Sequence, residues 1–198
     1  PGDLIESELF GEAPGVRGNQ HAREGLIRQA DGGTLFLDEV CDMPYELQSV
    51  LLRFIQDGSF KPVGSDLEVT SDVRILAATN RDPLFEMREG RLREDLFYRL
   101  HVVPLRIPPL RERGDDVILL AKHFLIEFAA QEERAISGFS EDARREFRRY
   151  PWPGNVRQLE NIIHRLVLTA QGETVGYDEL RAAISDSDMM DSQSPAMT

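Results

Sequence analysis

Hydrophobic and polar positions follow two regimes along the 198 residues. In the first part, short apolar runs at 34–37, 73–79 and 102–107 are separated by stretches with helical spacing. Such runs, rich in branched and aliphatic residues, predict buried strands. Between the first two, Leu47, Val50, Leu51, Phe54 and Ile55 recur at i, i+3, i+4, i+7 and i+8, one stripe of a helix. Asp42 is placed to cap that helix, Pro44 suits its first turn and Gly58 stops it. Residues 60–63 and 67–70 flank Gly64-Ser65-Asp66 and predict a hairpin. Strands alternating with helices predict an α/β fold with a mainly parallel sheet.

The second regime starts after Pro108-Pro109, and from Asp115 onward no strand is predicted. A helix over 116–132 places Val117, Leu120, Phe124 and Phe128 on one face. Ser140 caps a second helix that ends near Arg149, and Trp152-Pro153-Gly154 breaks the chain. A third helix over 155–170 carries Val156, Leu159, Ile162, Ile163 and Leu166, with Gly172 as its stop. A fourth covers 177–184, and the Asp, Ser and Met residues that follow read as a disordered tail. The predicted organisation is an α/β part over 1–110, a helical bundle over 111–184 and a tail over 185–198.

Composition narrows the function classes. The longest apolar runs, such as 117–121, fall far short of the roughly 20 residues of a membrane span. Pro1 is not an initiator methionine and no charged-then-apolar leader follows it, so the start reads as a cut in a longer protein. Cys41 is the only cysteine, which excludes an internal disulfide and suits a reducing compartment. The net charge of -12 gives no overall attraction for nucleic acid. Arg144, Arg145, Arg148 and Arg149 are interleaved with Glu141, Asp142 and Glu146, the pattern of a solvated helix face. Arg88, Arg91, Arg93 and Arg99 form a second basic stretch.

The chemistry concentrates after the first apolar run. Gly32-Gly33-Thr34-Leu35-Phe36-Leu37 leads straight into Asp38-Glu39, and ligands of open α/β sheets bind at the carboxyl ends of strands. One acid there suits Mg2+, and its neighbour suits the orientation of a water for attack on phosphate. The next sheet strand ends in Ala77-Ala78-Thr79-Asn80, placing an amide near the same crevice; alone, Asn80 before Arg81-Asp82-Pro83 reads as a turn residue. Arg93 and Arg99 flank a short helix, and arginine stabilises transition-state charge on phosphate. Taken singly, such arginines are ordinary ion-pair formers.

Together these motifs say more. The order and spacing of GGTLFLDE, LLRFIQDGSFKPVG, VRILAATN, LREDLFYRL, IPPLRER and WPGNVRQLEN, preceded by DLIESELFG, resemble the central AAA+ ATPase domain of sigma-54-dependent transcriptional activators. The resemblance runs to about residue 184. It implies a P-loop-type core with a helical lid, ATP and Mg2+ as cofactors, and a cytoplasmic ring, usually a hexamer, that acts on RNA polymerase and its sigma factor. It assigns Asp38 and Glu39 as the Walker B acids, for Mg2+ and for water activation. Asn80 matches the sensor I residue, Arg93 and Arg99 the arginine fingers that reach a neighbour's nucleotide, and Arg157 the sensor II arginine. DNA binding is expected only through a domain that this chain does not contain.

Two departures qualify these expectations. The only lysines, Lys61 and Lys122, do not stand in a GxxxxGK[ST] phosphate loop, which the family carries upstream of the DLIESELFG segment. Weak ATP binding is therefore expected of the polypeptide as written. The family's GAFTGA loop is replaced by Gly15-Val16-Arg17-Gly18, with the Phe-Thr pair gone and the spacing one residue shorter, so contact with sigma-54 is expected to suffer. The main alternative is an oligomerisation module that does not hydrolyse ATP and works with housekeeping-sigma polymerase. A clamp loader or unfoldase is disfavoured by the WPGNVRQLEN and REDLFYRL segments.

Overall fold

The computed structural model describes residues 2–16 and 21–193. The chain divides into two compact units, Pro1–Leu105 and Arg106–Thr198.

In the first unit, β1 (Thr34–Leu37) pairs in parallel with β4 (Arg74–Ala77), Leu35 opposite Ile75 and Leu37 opposite Ala77. The chain passes between them through α3 (Tyr45–Asp57), which buries Leu47, Leu51 and Phe54. Gly58 ends α3 in the left-handed conformation at φ 68°, and its N–H closes on the Phe54 carbonyl at 2.8 Å. Pro44, and not Asp42, holds the cap position. The Pro44 carbonyl accepts the N–H groups of Leu47 and Gln48, while Asp42 lies in a 3-10 turn, Val40–Asp42, and pairs with Arg81 at 2.6 Å.

The predicted hairpin forms from β2 (Ser59–Phe60) and β3 (Val69–Thr70), with Gly64 at φ 76°. Its strands are shorter than expected because Val63 bonds elsewhere, donating its N–H to the Gly11 carbonyl and accepting from Ala13, both at 2.9 Å. The core packs α1 (Gly2–Phe10), α2 (Leu26–Gln29), α3 and α5 (Glu94–Leu100) with one face of the sheet, through Phe10, Ile27, Leu35, Leu51, Phe54, Phe60, Leu96 and Phe97. The other face is uncovered: Phe36 and Leu76, cross-strand partners, are 59% and 44% exposed.

The strand predicted at 102–107 does not form. Val102, Val103, Leu105 and Ile107 are between 72% and 87% exposed. A strand exists only against a neighbour's backbone, and among the described residues none lies beside this segment.

The second unit packs α6 (Asp116–Gln131), α7 (Glu141–Arg149), α8 (Asn155–Thr169) and α9 (Tyr177–Gln193) around Trp152, Phe147, Leu159, Ile163 and Leu180. The Ser140 hydroxyl caps α7 by accepting the Ala143 N–H. On α6 the buried line is Val117, Ala121, Leu125 and Ala129, while Leu120, Phe124 and Phe128 are only partly buried. The predicted stripe does pack against the core, but the small alanines, which allow close helix packing, are buried more deeply. A parallel pair of two-residue strands, β5 (Gly138–Phe139) and β6 (Thr174–Val175), also forms, too short to show any period in the sequence. Residues 185–193, expected as part of a disordered tail, continue α9. Asp186 pairs with Arg165 at 3.8 Å and Asp188 accepts the Tyr150 hydroxyl, which ties this extension to the bundle.

Candidate functional site

Because β1 and β4 are parallel and Leu37 stands opposite Ala77, both chains leave the sheet at the same end. That brings Asp38 and Glu39 beside 78–80. Two further bonds extend the ladder: Ala78 N–H to the Leu37 carbonyl at 2.8 Å, and Val40 N–H to the Ala78 carbonyl at 3.0 Å. The Asp38 carboxylate accepts the Glu39 N–H at 3.0 Å through Oδ1. Glu39 sits in the left-handed region at φ 51°, ψ 44°. Such a conformation costs a side-chain-bearing residue about 1–3 kcal/mol and concentrates at functional sites. Asp38, Glu39 and Asn80 are exposed, and neither the Glu39 carboxylate nor the Asn80 amide has a partner among the described residues. These three of the predicted residues are brought together.

A polar brace holds the two strand ends. Arg81 pairs with Asp42 at 2.6 Å and with Glu86 at 3.5 Å, and Glu86 takes Arg91 at 2.6 Å. Glu86, on α4 (Pro83–Arg88), is 4% exposed, and the Arg91 guanidinium beside it holds its carboxyl below the usual carboxylate range. The Cys41 thiol is buried, and that burial pushes its pKa up. In the sequence Asp42 reads as a helix cap and Arg91 as part of a basic stretch, and nothing there links either to Arg81 and Glu86.

The predicted fingers lie elsewhere in this unit. Arg93 caps α5 and forks onto the Asp95 carboxylate at 3.0 and 2.7 Å, with the Tyr45 ring 5.7 Å from its guanidinium carbon. The same pairing holds the Asp95 carboxyl low. Arg99 donates to the Ile55 carbonyl at 3.4 Å. Both arginines therefore lie along α3, and neither bonds Asp38, Glu39 or Asn80. The backbone leading into Arg93 is held by Gln48, wholly buried on α3. Its amide donates to the carbonyls of Met43 at 3.0 Å and Arg91 at 2.8 Å, and its oxygen accepts the Arg93 N–H at 2.9 Å. The available signal was a polar side chain next to Leu47 on an apolar stripe.

In the second unit the IPPLRER and WPGN segments meet. Asn155, at φ 50°, accepts the Leu110 N–H at 2.9 Å, and Trp152 donates its indole N–H to the Phe147 carbonyl at 2.8 Å. Gln158 folds back to accept the Gly154 N–H at 3.1 Å. A cavity of about 310 Å³ opens here, lined by Leu110, Val117, Phe147 and Trp152. Arg157 stands in the first turn of α8, exposed and without a partner among the described residues.

Comparison with known proteins decides the family. Residues 1–106 match the sigma-54 interaction domain, and residues 111–196 the AAA+ ATPase lid domain. The chain belongs to the sigma-54 activator family. It is 51% identical over 181 residues to the luminescence regulatory protein LuxO of Vibrio campbellii. It is likewise 51% identical over 179 residues to the alginate biosynthesis regulator AlgB of Pseudomonas aeruginosa. These alignments take in 91% and 90% of this chain but 40% of each relative, so the chain spans less than half of their length. The crystal structure of NtrX from Brucella abortus in complex with ADP superposes with a TM-score of 0.83 at 37% identity, over 94% of this chain and 42% of that one. NtrX has also been solved with ATP. The fold is thus the AAA+ α/β core with a helical lid, from a family of bacterial transcription regulators. No helix among the described residues is long and apolar enough to cross a membrane.

Proposed function

We propose that this chain forms most of an ATP-hydrolysing core that works in a ring of copies and passes its nucleotide state to RNA polymerase. The observation that carries the reading is the paired strand end. Asp38, a strained Glu39 and Asn80, the last two without a side-chain partner among the described residues, leave the same end of the sheet next to a brace of ion pairs. The residues present fit Mg2+: Asp38 keeps one carboxylate oxygen clear of its bond to the Glu39 N–H, and Mg2+ in nucleotide sites uses one or two carboxylates beside water and phosphate. When bound, Mg2+ neutralises phosphate charge. Glu39 orients and deprotonates the attacking water, and Asn80 holds the terminal phosphate or that water by hydrogen bonding. Arg93 and Arg99 serve a neighbouring copy, and Arg157 serves the phosphates from the lid. The lysine-bearing phosphate loop is not among these residues.

The test is Glu39→Gln in the complete gene product. ATP binding persists and kcat falls at least ~10²-fold, the scale of one general base. Unchanged hydrolysis reduces the acidic pair to a polar strand end.

A second reading concerns output. The family's Phe-Thr loop position is held by Val16 and Arg17, the latter outside the described residues. An arginine resists the desolvation that a buried aromatic anchor accepts. Losing such an anchor commonly costs ~2 kcal/mol, roughly thirtyfold in affinity. The intact protein is then expected to act through another form of polymerase. A stable complex with purified sigma-54 in the presence of a transition-state ATP analogue would sink that expectation.

A further inference from the structure

Arg93 is useful to a phosphate only if its backbone is delivered to a fixed place, and that place is not set by Arg93 itself. The N–H of a helix-capping residue has no partner within its own helix. Here Gln48, from 45 residues earlier, supplies one. The carboxamide of a glutamine offers two donors and an acceptor, and all are used. One donor holds the Arg91 carbonyl and the acceptor holds the Arg93 N–H, so the two ends of the Arg91-Leu92-Arg93 turn are gripped by one planar group. The other donor holds the Met43 carbonyl, at the end of the segment that begins with Asp38 and Glu39. Leu92, between the two gripped residues, is 4% exposed, so the turn is pinned by packing as well.

We propose that Gln48 is a positioning residue that sets the turn from which Arg93 is presented. This rests on the reading of Arg93 as a finger for a neighbouring copy. Gln48 touches no substrate; it acts through the backbone of Arg93. A buried glutamine that merely satisfies carbonyls would affect stability and nucleotide affinity together. A positioning glutamine affects turnover on the finger-donating side of an interface.

The experiment uses the complete gene product. Gln48→Met keeps the volume and removes all three hydrogen bonds. Its kcat falls by about tenfold or more, given that ~1 Å of misplacement costs up to about 10²-fold, while ATP affinity stays within about twofold. Mixed assemblies then assign the side. Gln48→Met subunits regain activity with Glu39→Gln subunits, as Arg93→Ala subunits do, and regain none with Arg93→Ala subunits. Rescue of Arg93→Ala by Gln48→Met, or loss of ATP affinity in step with turnover, overturns the proposal. If Gln48→Met does not fold, Gln48→Asn replaces it, keeping the amide but shortening its reach by one methylene.

Should Arg93→Ala fail to complement Glu39→Gln, the finger reading fails, and amide exchange judges Gln48 separately. In the 198-residue chain, Gln48→Met speeds exchange of the Arg93 N–H about tenfold or more and leaves Leu51 unchanged. Equal protection of Arg93 in both proteins overturns the role of Gln48 whatever Arg93 does.

Discussion

The two units are stabilised by different means. The second is closed on itself: Trp152, Phe147, Leu159, Ile163 and Leu180 are at most 1% exposed and aromatic rings interlock, Phe139 against Phe147 at 4.8 Å and Tyr150 against Trp152 at 5.0 Å. The first is apolar on one side of its sheet only. Its other side leaves Phe36 and Leu76 uncovered, and the end that carries Asp38 and Glu39 is held by charge, through Asp42, Arg81, Glu86 and Arg91. Stacked hydrocarbon gives a rigid body that tolerates pH. A polar brace aims exposed groups at one spot and makes that spot sensitive to protonation.

The sharpest way to break this contrast is to open each core in turn. Phe147→Ala is expected to cost about 3–5 kcal/mol and Leu51→Ala about 2–5 kcal/mol. Trp152 is the only tryptophan and lies in the second unit, so its fluorescence in a denaturant titration reports Phe147→Ala directly. If Leu51→Ala moves that transition just as far, the units unfold together and the contrast does not hold.

Acid discriminates next. Glu86 and Asp95 have folded pKa values below their ordinary 4.5 and 3.8. Each binds protons more readily when unfolded, so each contributes stability that is full above its ordinary value and is lost as pH falls through the depressed one. Unfolding between about pH 5 and pH 2, followed by backbone amide exchange, therefore reaches residues 81–95 before α8. Glu86→Gln removes most of that difference. An equal acid response in that variant would place the sensitivity outside the brace.

Smaller effects sharpen the comparison. Phe36→Ser with Leu76→Ser changes stability by no more than about 0.5 kcal/mol, because both residues are exposed, yet lowers binding of an apolar fluorescent dye. Undiminished dye binding would locate the apolar surface elsewhere, with 102–105 the next segment to change. Arg157→Ala is the mildest: with no partner among the described residues to lose, stability changes by no more than about 0.5 kcal/mol, while the response to nucleotide in the complete protein weakens. A clear loss of stability would make Arg157 structural.

Much of this was legible along the chain. The strand at 34–37, the stripe of α3 with its glycine stop, the Ser140 cap and the break at Trp152-Pro153-Gly154 follow from spacing and turn chemistry, which act between near neighbours. The acids after β1, Asn80 and the arginines were identifiable as candidates because the types of side chain and their order are themselves sequence. Tertiary structure alone decided what those candidates have around them. Leu37 falls opposite Ala77, so the acids after β1 and the segment that leads to Asn80 leave the sheet at the same end. Residues 102–107, apolar enough for a strand, pair with no strand among the described residues and stay exposed. Gln48 meets Arg93 across 45 positions, and Arg91 meets a buried Glu86 only because the turn closes on it. Helices and turns are made of contacts a few residues apart, so their causes can be read locally. The β1–β4 ladder, the Asp42–Arg81 pair and the Gln48–Arg93 bond join groups far apart in the chain, and nothing in either partner's own neighbourhood names the other.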